Sequence, residues 1–495
     1  MRSAALTTGL FARLRGQLLR ADHQEDLAFL LWHPSSGANR TTALVADVLS
    51  PIEGDRHVHG NASFEPAYLE RSIGTALEAG SGLAFIHSHP GGRGWQGTSP
   101  DDERAEHGMA PAVLAATGLP LVGLTLSGDS TLSARFWERR GPHDYQRVDC
   151  ETVRVVGERM EVSFNDALRP APAAGGSQAR SVAAWGPGVQ AMLARLRVGV
   201  VGAGSVGSMV AEGLARTGVG HIELFDYDTV KEVNLDRLLH ATERDVRLAR
   251  SKVEVLARAL RRSSTAAQPD IVPDERSVVE EAGFRAALDC DLLFSCVDRP
   301  WPRAVLNFAA YAHLIPVIDG GVKVRTLGGR ALRDADWRAH VAAPGRRCLE
   351  CLGQYDPALV QAERDGYVDS PGYIEGLPAD HPLRMNENVF AFSLGAASLE
   401  LAQFVALMAA PSGVADLGAL HFHLASADLR RDERGCEPDC PYSLPSLEAV
   451  GDASGLVVTA PHDAADRERL NRRVARRTWQ VRLGRIADDL ADRLR

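Results

Sequence analysis

The sequence predicts an α/β protein with two domains, and three local patterns carry this prediction. An apolar run at 198–201 enters a glycine-rich turn and an amphipathic segment, as in a nucleotide-binding strand, turn and helix. A second apolar run at 82–86 reads as a buried strand that ends at two histidines. Two pairs of cysteines lie late in the chain. The predicted regions are a metal-binding α/β domain at 1–150, a linker region at 151–185, a Rossmann-like domain at 186–440 and an extension at 441–495.

Composition narrows the class of protein. Hydrophobic residues make up 45% of the chain and charged residues 24%, which is ordinary for a soluble globular protein. The net charge of −9 gives no general attraction for nucleic acid. The chain shows neither a run of apolar residues long enough to cross a membrane nor the features of a secretory signal. With only seven cysteines, a disulfide scaffold is not expected, so we predict a cytoplasmic protein with no membrane partner.

The N-terminal region contains a candidate zinc site. In an extended strand, His87 and His89 point to the same face. A carboxylate from Asp102, or from the adjacent Asp101, would supply a third ligand and leave a fourth position for water, as in catalytic zinc sites. Ser99 is a favourable N-cap residue, so a helix is expected to begin after it.

The series His-x-His-Pro at 87–90 and Ser-x-x-Asp at 99–102 resembles the motif of the JAMM (MPN/JAB) zinc metalloproteases. Those enzymes remove ubiquitin-like proteins at isopeptide or peptide bonds. The resemblance implies that the zinc ligands are His87, His89 and Asp102. It also implies that Ser99 helps to stabilise the oxyanion. The stretch between the two halves of the motif is glycine-rich and longer than expected, which leaves Asp101 open as a competing ligand.

The same resemblance implies an upstream glutamate that acts as general base. Glu25 opens an apolar strand and is the candidate, while Glu53 lies in a turn-like segment and is the alternative. A second His-x-His at His57 and His59 has no acidic partner and reads as a loop. The competing interpretation is that the histidines of 87–90 make ordinary hydrogen bonds in a strand.

The glycine-rich turn is a candidate phosphate site. Gly202, Gly204 and Gly207 let the backbone approach phosphates at the N-terminus of a helix. Asp226 ends the next predicted strand, about 20 residues further on, where an acidic residue can bind a ribose hydroxyl. A nicotinamide-dependent dehydrogenase shares this pattern and is one alternative.

The residues beyond this turn resemble the adenylation domain of the ubiquitin-activating (E1), ThiF and MoeB family, over roughly 180–440. That family binds ATP and Mg²⁺ and adenylates the C-terminal glycine of a ubiquitin-like protein. The implied nucleotide-binding residues are Gly202, Gly204, Gly207, Asp226, Asp228, Asn234, Arg237, Lys252 and Asp298. Of these, Asn234, Arg237 and Lys252 would face the phosphates, and Asp298 would lie beside Mg²⁺ and the reacting α-phosphate. The glutamine usual after the arginine is Leu238 here.

The late cysteines form the pairs Cys348/Cys351 and Cys436/Cys440. Each spacing lets two thiolates reach one tetrahedral ion, and a redox pair is the alternative. The resemblance implies a structural Cys₄ zinc site. No cysteine lies between Cys351 and Cys436, in the region where conjugating members of the family carry a thioester-forming cysteine.

Together these patterns suggest a bifunctional enzyme that processes and activates a ubiquitin-like protein with a C-terminal glycine. The implied cofactors are ATP, Mg²⁺ and two zinc ions, one catalytic and one structural. The implied setting is a bacterial conjugation pathway, for example in antiviral defence, with an E2-like partner. The alternative is activation of a sulfur carrier with a sulfur-transfer partner, and a scaffold with inactive sites is a further possibility. A homodimer is expected from the resemblance, and a basic amphipathic helix is predicted at 463–495.

Overall fold

Two large sheets form the framework of the protein. The computed structural model describes residues 1–59, 61–328, 331–377, 387–444, 446–455, 461–477, 483, 485, 488–490 and 492. Some predicted positions of the C-terminal helix therefore lie outside the described residues, namely Trp479, Val481, Gly484 and Ile486.

The first sheet is built from the N-terminal third of the chain. The strands are β1 (Arg2–Thr7), β2 (Leu27–Ser36), β3 (Thr41–Leu49), β4 (Arg56–His59), β5 (Asn61–Phe64), β6 (Gly82–His89), β7 (Leu121–Ser127), β8 (Leu132–Gly141), β9 (Asp144–Asp149), β10 (Thr152–Val156) and β11 (Glu161–Phe164). The helices are α1 (Thr8–Leu18), α2 (Pro66–Glu78) and α3 (Pro100–Thr117). Nine strands pair in the order β11-β10-β1-β3-β2-β6-β7-β8-β9, and β4 and β5 form a separate hairpin.

Helices cover both faces of this sheet. The apolar side of α1 packs on one face, and α2 and α3 pack on the other. The central strands β6 and β7 are consequently buried on both faces, which explains why they read as continuous apolar runs. Ser99 is the N-cap of α3, as predicted, and Pro100 is its first residue.

The first sheet extends beyond residue 150. β10 pairs in parallel with β1, and β11 pairs antiparallel with β10. Both strands lie within the segment 151–185 that was predicted to be a linker, so the first unit reaches Phe164. The alternating apolar residues of 152–165 are compatible with a last strand or hairpin of either domain, and the sequence leaves the choice open because it depends on long-range pairing.

The second sheet is built from the rest of the chain. Its strands are β12 (Arg197–Val201), β13 (His221–Phe225), β14 (Asp270–Asp274), β15 (Leu292–Ser295), β16 (Val317–Thr326), β17 (Leu332–Ala342), β18 (Ala419–His423) and β19 (Asp428–Asp432). The helices are α4 (Ala179–Arg195), α5 (Ser205–Thr217), α6 (Glu243–Arg247), α7 (Lys252–Ser263), α8 (Glu281–Ala287), α9 (Pro300–Ala312), α10 (Pro357–Arg364), α11 (Pro371–Gly376), α12 (Phe390–Ala409) and α13 (Asp463–Arg477).

The strand order is β14-β13-β12-β15-β16-β17-β18-β19. The first five strands are parallel, and the last three add antiparallel pairs. The order reverses between β12 and β15, which is the point where open α/β sheets bind ligands at the carboxyl ends of their strands. The Rossmann-like architecture predicted from the glycine turn is confirmed.

One described helix, α12, is long and apolar enough to cross a membrane by length and composition alone. This differs from the sequence-based expectation that the chain has no run of apolar residues long enough to cross a membrane. The helix packs against α5, β16 and β17. In the 18-residue apolar stretch of this helix, 44% is buried. A core helix of a soluble fold has these same properties.

The two sheets meet at a buried carboxylate, Asp291. Arg40 from the β2–β3 loop lies 2.6 Å from it, and Arg154 from β10 lies 3.2 Å from it. Arg169 approaches its other oxygen at 3.7 Å. Burial alone would raise the pKa of Asp291, but the three guanidinium groups outweigh burial and hold it well below its usual range. The first sheet is therefore attached to the start of β15 by charges that water does not reach.

Replacement of Asp291 by asparagine is expected to destabilise the protein by about 3–5 kcal/mol, because removal of one partner leaves buried guanidinium groups uncompensated. Denaturant unfolding of the full chain measures this free energy. The matched control is Asp166→Asn, since Asp166 pairs with Arg195 through an exposed side chain and should cost less than about 1 kcal/mol. Equal losses in the two variants would contradict a structural role for the buried cluster.

Candidate functional sites

The glycine turn after β12 has the geometry of a close backbone approach. Gly202 has φ +92°, a conformation that favours glycine. A Cβ on Gly207 would lie 1.8 Å from the carbonyl oxygen of Gly202, so this position also requires glycine. Gly204 is the N-cap of α5, and no side chain caps that helix. The first turn of α5 therefore presents backbone N–H groups that an anion can bind.

Asp226 connects this turn to the end of β13. Its carboxylate accepts hydrogen bonds from the backbone N–H of Ala203, at 2.9 Å, and of Asp228, at 2.8 Å. Burial raises the pKa of Asp226 to about 6, against the opposing charge of Lys252. The side chain is thus held beside the glycine turn, where the sequence predicts the ribose of a nucleotide.

Lys252, the first residue of α7, lies among carboxylates. Its ammonium group is 2.7 Å from Asp228 and 3.8 Å from Asp226. Burial favours the neutral amine, but the charges of Asp226, Asp228 and Asp298 outweigh it and raise the pKa of Lys252. A cation fixed in this way can neutralise phosphate charge. The structure therefore brings together the glycine turn, both carboxylates after β13, Lys252 and Asp298.

Asn234 and Arg237 make local contacts on the loop after β13. The side-chain oxygen of Asn234 accepts a hydrogen bond from the N–H of Lys231, at 3.0 Å. The guanidinium group of Arg237 lies 2.8 Å from Asp236 and is partly exposed. Leu238, the departure from the expected glutamine, is buried in a small apolar cluster that anchors this loop.

A buried network of Arg303, Asp319 and Arg338 adjoins Val297, the residue before Asp298. Arg303 donates to the carbonyl of Val297, at 2.5 Å, and to Asp319, at 2.7 Å. Arg338 contacts the other oxygen of Asp319 at 2.7 Å. Arg338 comes from β17 in the antiparallel half of the sheet, and no local pattern signals its contact with Asp319.

The C-terminal helix lies beside the same loop. Glu468 of α13 accepts hydrogen bonds from the backbone and side chain of Thr229. His462, just before α13, packs edge-on against Tyr227 with ring centroids 5.1 Å apart. The sequence predicts a basic amphipathic helix over this segment. The described part packs on the domain, next to the residues that follow β13.

The four cysteines converge although their pairs are far apart in sequence. The sulfurs of Cys348 and Cys440 are 3.6 Å apart, and the N–H of Cys348 donates to the sulfur of Cys436 at 3.1 Å. One sulfur from each of the four residues lies within 4.8 Å of every other, and all four cysteines are free thiols. This arrangement could hold a tetrahedral ion.

The predicted ligands of the N-terminal site also converge. The Nε2 atoms of His87 and His89 are 3.1 Å apart and lie 3.6 and 3.7 Å from a carboxylate oxygen of Asp102. Asp102 faces the histidines because it is the third residue of α3, where Ser99 caps the helix and donates to the same oxygen at 2.8 Å. The competing Asp101 is exposed and pairs with Arg104.

Glu25 and Ser99 occupy different positions around these ligands. Glu25 is half-buried just before β2, and its charge is among those that raise the pKa of His89, after the larger effect of Asp102. Ser99 orients Asp102 through its hydrogen bond. Glu53, the alternative base, is exposed in the turn before β4.

Comparison with known proteins assigns the second unit. Residues 177–410 match the ThiF family. Ubiquitin-like modifier-activating enzyme 5 of Drosophila willistoni is 31% identical over 163 residues, which cover 30% of this chain and 38% of that protein. The tRNA threonylcarbamoyladenosine dehydratase of Escherichia coli (strain K12) is 33% identical over 135 residues, covering 26% of this chain and 47% of that protein. The chain thus spans less than half the length of the relatives it matches.

Among solved structures, E. coli MccB with ATP aligns at a TM-score of 0.41 and 20% identity, covering 55% of this chain and 76% of MccB. The family match begins after the first sheet has ended and spans the glycine turn, Asp226, Lys252 and Asp298. Residues 177–410 are therefore an E1-like adenylation domain of the ThiF family.

Proposed function

We propose that the chain activates the C-terminal glycine of a ubiquitin-like protein with ATP and cleaves the tail or the conjugates of that protein with zinc. The observation that carries the proposal is the presence of two separate sites on two joined sheets. One combines the glycine turn with Lys252, and the other combines His87, His89 and Asp102. Two activities in one chain raise their effective concentration around a shared substrate.

In the adenylation site, each side chain suits one part of ATP. The N–H groups at the start of α5 bind phosphate oxygens, and Asp226 binds the ribose. Lys252 and Arg237 neutralise charge that develops as the substrate carboxylate attacks the α-phosphate and pyrophosphate leaves. Asp298 would hold Mg²⁺, which shields the phosphate oxygens when bound. The concentration of carboxylates around Lys252 fits such an ion.

In the N-terminal site, two imidazoles and one carboxylate suit zinc. The three ligand atoms lie within 4.8 Å of one another, and a catalytic zinc site would add water as the fourth ligand. Zinc held there would supply Lewis-acid activation of water and of the scissile carbonyl. Glu25 would accept the proton from water, and Ser99 would hold Asp102 in place.

A second candidate function is activation of a sulfur carrier. The absence of a cysteine between Cys351 and Cys436 favours it, because the thioester route has no thiol in that part of the sequence. In this case the acyl adenylate passes to a sulfur-transfer partner rather than to an E2-like partner. An antiviral conjugation pathway and a homodimer remain part of the first proposal.

The first test is ATP–pyrophosphate exchange with ubiquitin-like proteins that end in glycine. Asp298→Ala should lower the exchange rate by about 100-fold or more, since it removes a charge that acts on the reacting phosphate. The control is Asp270→Ala, at the amino end of β14, away from the carboxyl ends of the strands where the site lies. Equal exchange rates in the Asp298→Ala and Asp270→Ala variants would contradict the role assigned to Asp298. Exchange in the absence of any ubiquitin-like protein would indicate another acyl substrate.

The second test uses a ubiquitin-like protein extended beyond its terminal glycine. Glu25→Gln should slow cleavage by roughly 100-fold or more while zinc content is kept, because only the proton acceptor is lost. His87→Ala with His89→Ala should lose both cleavage and one zinc ion. Glu53→Gln is the matched control and should cleave like the wild type. If Glu53→Gln is the slow variant, the base has been assigned to the wrong residue.

A further inference from the structure

A third cluster of metal-binding side chains lies away from both proposed sites. It consists of Asp336 on β17 and of His421 and His423 on β18. One ligand atom from each of the three side chains lies within 4.8 Å of the other two. Neither the adenylation chemistry nor the peptidase chemistry uses these residues.

Strand pairing places the three side chains on one face of the sheet. Asp336 is directly opposite His423 in the antiparallel β17–β18 pair, and His421 is two residues earlier on the same strand. The Nδ1 atom of His423 is 2.9 Å from one oxygen of Asp336. The rings of His421 and His423 have centroids 4.2 Å apart. Asp336 is buried, while both imidazoles are half-buried and remain accessible from solvent.

The surrounding arginines do not occupy the face of Asp336 that meets the histidines. Arg325 lies 2.6 Å from the other oxygen of Asp336 and 3.1 Å from Asp334. Farther along the same face, Arg338 is paired with Asp319, and Arg430 is paired with Asp428. Each of these cations already has a carboxylate partner, so the charge of the Asp336 oxygen beside His423 is available for another cation.

We propose that Asp336, His421 and His423 bind one divalent transition-metal ion, for which Zn²⁺ is a suitable probe. Two imidazole nitrogens and one carboxylate oxygen are a common donor set for such ions, with a further position left for water or another ligand. That position has room, because the histidines border an open surface depression of about 680 Å³. The hydrogen bond between His423 and Asp336 would be exchanged for coordination to the ion.

A bound ion would join two strands whose ligands are 85 positions apart in sequence, between Asp336 and His421. The long excursion through α10, α11 and α12 separates them. The ion would thus strengthen the pairing of β17 with β18 near the outer edge of the second sheet, independently of the cysteine cluster.

The test is zinc content per chain in the full-length protein after zinc loading and removal of free ion. His421→Ala with His423→Ala should contain one zinc equivalent fewer than the wild type. The matched control is His57→Ala with His59→Ala. This His-x-His pair lies on strand β4 and not in the predicted loop, and His57 has an acidic partner after all, Glu65 at 2.7 Å. Both side chains are exposed, and among the described residues they belong to no group of three metal-binding side chains. The control should keep the wild-type zinc content.

Asp336→Asn provides a second variant that keeps the size of the side chain and removes its charge. It should also lose one equivalent, with unchanged zinc at the cysteine cluster and unchanged cleavage of the extended ubiquitin-like protein. Zinc content equal to that of the wild type in both the double-histidine and the asparagine variants would overturn the proposal. The proposal would also be overturned if the wild-type protein retained no more zinc than these variants. The contact between His423 and Asp336 would then be an ordinary hydrogen bond.

Discussion

The buried charge of Asp291 is the interaction on which the arrangement of the two sheets depends. An unpaired carboxylate in that position would be unstable, so Arg40, Arg154 and Arg169 must all be delivered from the first unit and the connecting segment. The carboxylate precedes β15, the strand that leads to Asp298. The contact that joins the units therefore lies at one end of the short strand β15, and Asp298, a residue of the proposed adenylation site, lies just beyond its other end.

Sequence reasoning succeeded where a local pattern determines local geometry. The glycine turn requires glycine at position 207, since a Cβ there would collide with the backbone of Gly202. The N-cap of α3 orients Asp102 through Ser99, three positions earlier, and this spacing is visible in the sequence. The sequence leaves the choice between the two adjacent aspartates open. In the structure Asp102 lies beside both histidines, whereas Asp101 is exposed and pairs with Arg104.

Sequence reasoning failed where the geometry depends on pairing between distant segments. The hairpin of β10 and β11 joins the first sheet through its contact with β1, about 150 residues earlier in the chain, as Ser3 pairs with Thr152. The contact of Arg338 with Asp319 follows from the register of β16 and β17. The cluster around Asp336 follows from the register of β17 and β18. Periodicity within one strand says which residues share a face, but it does not say which strand lies alongside.

The parallel pairing of β1 with both β3 and β10 also bears on how the protein is made. β1 is an interior strand, so one of its edges stays without a neighbour until β10 has been synthesised. Arg154, which neutralises Asp291, belongs to that same late strand, while Asp291 emerges from the ribosome later still. During translation the N-terminal unit thus has an open edge until residue 156 is available, and its arginines stay unpaired with Asp291 until residue 291 follows. Completion of the sheet and recruitment of the adenylation domain become successive steps of one assembly, with β10 as the element they share.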